Sequence, residues 1–176
     1  MVRSVTVTVA GGADTRALGA RLAKVLRAGD LLVLSGGLGA GKTTLTQGIG
    51  TGLGVRGAVT SPTFVIARVH PSEVGGPALV HVDAYRLGGS ADVTAEIDGL
   101  DLDASLDESV TVVEWGEGMV EDLTEDRLEV AIDRDHAEAD PLAASAGDFA
   151  GDEVRTIRVT GIGARWAGAD LDGLAG

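Results

Sequence analysis

One stretch, Leu31 to Thr44, constrains the fold more than any other. Leu31-Leu32-Val33-Leu34-Ser35 is a short apolar run of the kind a buried strand presents. Gly36-Gly37-Leu38-Gly39-Ala40-Gly41-Lys42-Thr43-Thr44 follows directly. It fills every fixed position of G-x-x-x-x-G-K-[ST] with Gly36, Gly41, Lys42 and Thr43. Leu45-Thr46-Gln47-Gly48-Ile49 then opens a helix, so the motif lies between a strand and a helix, where a phosphate loop has to be.

The chemistry accounts for the spacing. Glycines let the backbone curl until several N–H groups face one phosphate, where a side chain would block the approach. The helix adds the positive end of its dipole. Lys42 is expected to reach the β- and γ-phosphates as a mobile charge, and Thr43 to offer its hydroxyl to Mg²⁺. Glycine is common in this chain (27 of 176), which makes chance glycines more frequent. A complete motif between an apolar run and a helix outweighs that.

Composition narrows the class. The length, 176 residues, fits a single domain over 1–176. Aromatic residues are 3%, so the core must be built from Val, Leu, Ile and Ala. A formal net charge of −13 argues against gripping nucleic acid by broad phosphate neutralisation. With no cysteine, disulfide, zinc-thiolate and thiol-nucleophile chemistry are excluded. The N-terminus alternates polar and apolar residues and lacks a signal-peptide h-region, and no run approaches the ~20 apolar residues of a membrane span. A cytoplasmic protein with no membrane association is expected.

Along the chain, Val5, Val7 and Val9 alternate with threonines and predict a strand that ends at Gly11-Gly12. Asp14 or Thr15 is the expected cap of a helix carrying Leu18, Leu22, Val25 and Leu26. Strands are predicted at 64–70 and 78–83, joined by a short Gly/Pro turn as an antiparallel hairpin, which makes the sheet mixed. Further strands are predicted at 109–115, 128–132 and 154–160, with a short helix over 117–123. Residues 90–107 are acidic, with no Lys or Arg. Residues 134–153 read as an acidic, Ala-rich loop with a mobile tip, and 161–176 as a tail too rich in Gly and Ala to assign, with flexibility expected.

Three clusters could serve a nucleotide site. Thr63, in Ser61-Pro62-Thr63-Phe64, could meet a γ-phosphate or its metal, although on local pattern alone the same residues read more readily as a proline turn entering a strand. In His81-x-Asp83-x-Tyr85-Arg86 the alternate residues share one strand face, and Asp83 could hold Mg²⁺ through water or orient an attacking water. In Val110-Thr111-Val112-Val113-Glu114-Trp115 an apolar strand ends in an acid, the Walker B arrangement, which suits Glu114 to the metal. Trp115 alone would be a packing residue.

Taken together, G-x-L-G-A-G-K-T-T, S-P-T-F, H-x-D-x-Y-R and E-W, in this order, resemble the TsaE (YjeE) family of bacterial ATPases, from about Thr15 to Ile132. The resemblance implies an α/β fold: a three-layer P-loop NTPase sandwich with a central mixed, mainly parallel sheet, antiparallel additions, and helices on both faces. It implies that Gly39, Ala40, Gly41, Lys42, Thr43 and Thr44 bind the phosphates of ATP. It implies that Thr43 and Glu114 hold Mg²⁺, that Asp83 lies at the nucleotide and is needed for hydrolysis with Lys42, and that Thr63 belongs to a switch-like loop. Trp115 matches the aromatic beside the metal ligand, and Thr15 a segment near the base or ribose. Glu96 and Gly99 match an E-x-x-G element. Adenine over guanine rests on the resemblance, there being no N-K-x-D motif. The implied role is support of threonylcarbamoylation of adenosine 37, in tRNAs that read codons starting with A, together with TsaB and TsaD. Contact with tRNA would be indirect, through that complex.

Two departures stand out. Gly116 replaces a frequent proline, and 136–153 looks like an insertion relative to short members. Rival functions are a small-molecule P-loop kinase, against which the missing arginines of 90–107 count, and a nucleotide-gated binding module with negligible hydrolysis.

Overall fold

The alternating Val/Thr run at the N-terminus forms β1 (Val2–Ala10), with Val7 and Val9 buried and Thr6 and Thr8 in solvent. The computed structural model describes residues 2–37, 41–57, 59, 67–83, 107–114, 125–134 and 154–176. Helix α1 (Gly11–Val25) starts on the next residue, so its cap is Ala10, and neither Asp14 nor Thr15 takes the expected capping place. Gly11, at φ 83°, turns the strand into the helix in one step, a conformation that costs glycine little. Asp14 still serves the helix start from inside, accepting from the Ala10 amide at 3.2 Å, while Thr15 Oγ1 donates to the Gly11 carbonyl at 2.9 Å.

Next come β2 (Leu31–Gly36) and α2 (Lys42–Leu53). The predicted hairpin is present as β3 (Ala67–His70) antiparallel to β4 (Ala78–Asp83). Then follow β5 (Ser109–Glu114), β6 (Arg127–Arg134) and β7 (Val154–Ile162). The strand order is β1-β7-β6-β2-β5-β4-β3. Its centre, β6-β2-β5-β4, is parallel, with antiparallel strands added at both sides. The parallel centre brings the C-terminal ends of β2, β4 and β5 to one edge of the sheet, the edge at which open α/β sheets bind ligands.

The core follows from the strand period. Leu32 and Leu34, Val110 and Val112, and Leu128, Val130 and Ile132 pack with Leu18 and Leu22 of α1 and Leu45 and Ile49 of α2. The alternate residues Leu31, Val33, Val80, Val82 and Val113 are buried too, as central parallel strands require. Helices α1 and α2 lie together on one face; the helices expected on the other face fall outside the described residues. The two helices touch backbone to backbone. A Cβ on Gly48 would collide with the Arg16 carbonyl, and one on Gly19 with the backbone of Leu45, Gly48 and Ile49. This close approach explains glycines inside α2, each of which costs about 1 kcal/mol in helix propensity.

The segment that composition left unassigned is built into the core. A short helix, α3 (Ala164–Ala167), and a 3-10 turn (Asp172–Ala175) bury Trp166, Leu171 and Leu174. Gly161 leaves the room that the Trp166 side chain fills. Arg165 donates to both carboxylate oxygens of Asp30 (3.1 and 3.0 Å) and to the Val25 carbonyl (2.7 Å), and lies 4.2 Å from the Trp166 ring centre.

Candidate functional site

The first residues of α2 meet the ends of β4 and β5. Gly41 precedes the helix at φ 115°, where a side chain would be strained. Its carbonyl accepts the first helical bond, from Leu45 N at 2.9 Å. Lys42 folds back over the loop it follows: Nζ donates to the Gly36 carbonyl at 2.8 Å and the Gly37 carbonyl at 2.9 Å, and the side chain is 6% exposed. The ammonium is thus held against the first residues of the loop.

Thr43 Oγ1 donates to Glu114 Oε1 at 3.1 Å. The register sets Asp83 of β4 directly beside Glu114 of β5. Both acids are buried, at 8% and 3% exposed, and both occupy the helix-facing phase of their strands. His81, two residues before Asp83 on the same phase, brings Nε2 to 3.4 Å from Glu114 Oε1. Lys42, Thr43, Asp83 and Glu114, expected together from the sequence, therefore converge at one edge of the sheet.

Thr15 and Thr44 are buried close by. Thr15 Cγ2 lies 3.8 Å from where a Cβ on Gly41 would sit, which brings α1 to the loop, and Thr44 Cγ2 lies 3.8 Å from the same point on Gly12. Gly39, Ala40, Thr63 and Trp115 fall outside the described residues, as do Tyr85, Arg86, Glu96, Gly99 and the predicted helix over 117–123.

Sequence reasoning missed one residue. Arg155, near the start of β7, is 3% exposed, and its Cδ lies 4.0 Å from the Cβ position of Gly41. It shares the inward phase of β7 with Ile157 and Val159, while Arg158 of the other phase is exposed. A charged residue on the inward phase of a strand is the signal that could have found it.

The charges divide the site in two. Lys42, Arg155 and the start of α2 gather positive charge on one side, where phosphates would be held. Glu114 and Asp83, with the Thr43 hydroxyl, offer hard oxygen donors on the other, a set that suits Mg²⁺. Among the described residues no three His, Cys, Asp or Glu side chains form a metal cage of their own. A small set completed by phosphate and water is how Mg²⁺ is usually held. Farther out, burial holds the His70 ring below its ordinary pKa, and the neighbouring His81 and Arg68 charges act in the same direction, against a bond between Nδ1 and the Arg56 carbonyl at 3.3 Å.

Comparison with known proteins gives one family. The family described as "Threonylcarbamoyl adenosine biosynthesis protein TsaE" matches residues 9–141. A Streptomyces coelicolor protein named tRNA threonylcarbamoyladenosine biosynthesis protein TsaE is 66% identical over 92% of this chain and 99% of its own length. The Bacillus subtilis protein of the same name is 34% identical over 87% of this chain and 83% of its own. The crystal structure of Bacillus subtilis YdiB superposes with a TM-score of 0.66 at 29% identity, covering 94% of this chain and 90% of that one.

Proposed function

This chain belongs to the TsaE family, the tRNA threonylcarbamoyladenosine biosynthesis proteins, and on that premise we propose that it is a Mg²⁺-dependent ATPase supporting threonylcarbamoylation of adenosine 37 through TsaB and TsaD. The observation that carries the reading is the Thr43–Glu114 hydrogen bond at the start of α2, with Asp83 beside Glu114 and Lys42 folded over the loop.

Each residue then has a task. Lys42 exchanges the Gly36 and Gly37 carbonyls for phosphate oxygens. The amides of Gly39, Ala40, Gly41, Thr43 and Thr44 line the phosphates, and buried Arg155 adds charge on the β7 side. Thr43 and Glu114 hold Mg²⁺, which when bound neutralises charge on the β- and γ-phosphates. Asp83 or Thr63 positions water or senses the γ-phosphate. Thr15 serves the nucleoside, and Trp115 serves the nucleotide as the aromatic next to the metal ligand. No strong general base is required, because phosphoryl transfer depends mainly on positioning and electrostatics. Turnover by the isolated protein is slow, and TsaB and TsaD raise it. Among the described residues no helix is long and apolar enough to cross a membrane, and the proposed place of action is the cytoplasm.

The test is ATP binding and turnover by the purified protein, with and without TsaB and TsaD, using Lys42→Ala and Glu114→Ala as controls. Binding with slow turnover alone, an ATP-dependent complex with the pair, and loss in both variants are expected. A preference for GTP, or phosphate passing to a small metabolite, would overturn the reading while leaving the phosphate loop in place.

A further inference from the structure

His81 is 0% exposed, and among the described residues neither of its ring nitrogens has a hydrogen-bond partner. Buried polar groups are almost always paired, so a ring kept in this state calls for an explanation. Nε2 lies 3.4 Å from Glu114 Oε1, the oxygen that Thr43 Oγ1 reaches at 3.1 Å. The separation is close, but the alignment is not that of a hydrogen bond. The contact is set by the sheet. His81 pairs with Val112 and Asp83 with Glu114, all on the helix-facing phase, so the ring extends from β4 toward the neighbouring carboxylate.

We propose that His81 is the positioning residue for Glu114: its Nε2–H holds the carboxylate in place when a cation is bound at Thr43 and Glu114. The inference rests on the Mg²⁺ reading above. Glutamate has three side-chain torsions to fix, and Thr43 supplies one donor to one oxygen. A carboxylate with two oxygens has room for that donor, for a cation and for a second donor. An N–H at Nε2 is such a donor, offered from β4, the strand that pairs with the one carrying Glu114. Hydrogen-bonded partners of ligating carboxylates set how firmly a metal is held, commonly by tenfold to a hundredfold.

The amide nitrogen of glutamine can replace Nε2, whereas that of asparagine falls nearer Nδ1. His81→Gln, His81→Asn and His81→Leu therefore separate a donor in the right place from a donor in the wrong place and from volume alone. The measurements are Mn²⁺ binding to the protein–ADP complex, followed by the EPR signal of free Mn²⁺, and ADP affinity in EDTA. His81→Leu and His81→Asn are expected to weaken Mn²⁺ binding by about tenfold or more. Their ADP affinity in EDTA should stay within about twofold of wild type, and His81→Gln should keep most of the Mn²⁺ affinity. Should leucine prevent folding, the Gln/Asn pair carries the test. Equal Mn²⁺ affinity in Gln and Asn, or a parallel loss of ADP binding in EDTA, would overturn the inference. If wild type itself failed to bind Mn²⁺ with ADP, the Mg²⁺ reading would fall first and the role of His81 with it.

Discussion

Lys42 is already bonded to the Gly36 and Gly37 carbonyls, so nucleotide binding at this residue is an exchange of partners. The ammonium makes both kinds of bond charge-assisted, and a phosphate oxygen adds the attraction of a full opposite charge. Lys42→Ala is therefore expected to weaken ATP binding by about tenfold to a hundredfold in a calorimetric titration, the equivalent of one or two such bonds. At His70 the prediction concerns pH. Its pKa is lowered in the folded protein from the ordinary 6.5, so the unfolded chain binds the proton more readily. The stability of its neutral form is intact above 6.5 and is lost as pH falls from there toward the depressed folded value. In urea denaturation between pH 7.5 and 5.5, wild type should lose more stability than His70→Gln; equal slopes would show that the ring titrates alike in both states. At this scale the sequence was most readable where a residue belonged to a contiguous motif. Lys42, Thr43 and Glu114 were legible because their neighbours announced them. Arg155 was not, because its closeness to Gly41 depends on β7 lying where it does in the sheet, and no local pattern encodes that.

At the scale of elements, the α1–α2 contact and the C-terminal segment make separate predictions. Alanine is the better helix former by about 1 kcal/mol, yet Gly48→Ala is expected to destabilise by about 1–3 kcal/mol, because its Cβ would enter the Arg16 backbone. Gly12→Ala, with only ordinary contacts at 3.6 and 3.8 Å, is the control that should cost little. Trp166→Ala should cost about 3–5 kcal/mol, checked by the same denaturation, since the side chain is 1% exposed against Gly161. Strands were legible from period two wherever one face met solvent, as in β1 and β7, and from apolar runs where both faces were buried, as in β2 and β5. The helix start at Gly11 was misread because the turn is made by a glycine torsion instead of a capping side chain. The tail was unreadable because its few apolar residues are spaced for three separate contacts and follow no period.

At the scale of the whole molecule, charge bears on the proposed indirect contact with tRNA. With a net charge of −13, the isolated protein is expected to show no saturable tRNA binding below roughly 100 µM in physiological salt. Saturable binding in a filter or gel assay would require a local basic surface and would make the contact with tRNA direct. The strand order has a consequence for how the chain comes together during synthesis. Among the described residues β1 bonds only to β7, and β7 only to β1 and β6, with Val2 opposite Ile162. The phosphate loop and the acids facing it lie on strands that have all left the ribosome by Arg134. The first strand to emerge waits for the last, and closing so long a loop is slow. In pulse-labelled hydrogen exchange during refolding, β2 and β5 amides should gain protection before those of β1. A nascent chain would then carry the loop and the acids of its nucleotide cradle before the wall that brings Arg155, with the earliest-made strand waiting until the end.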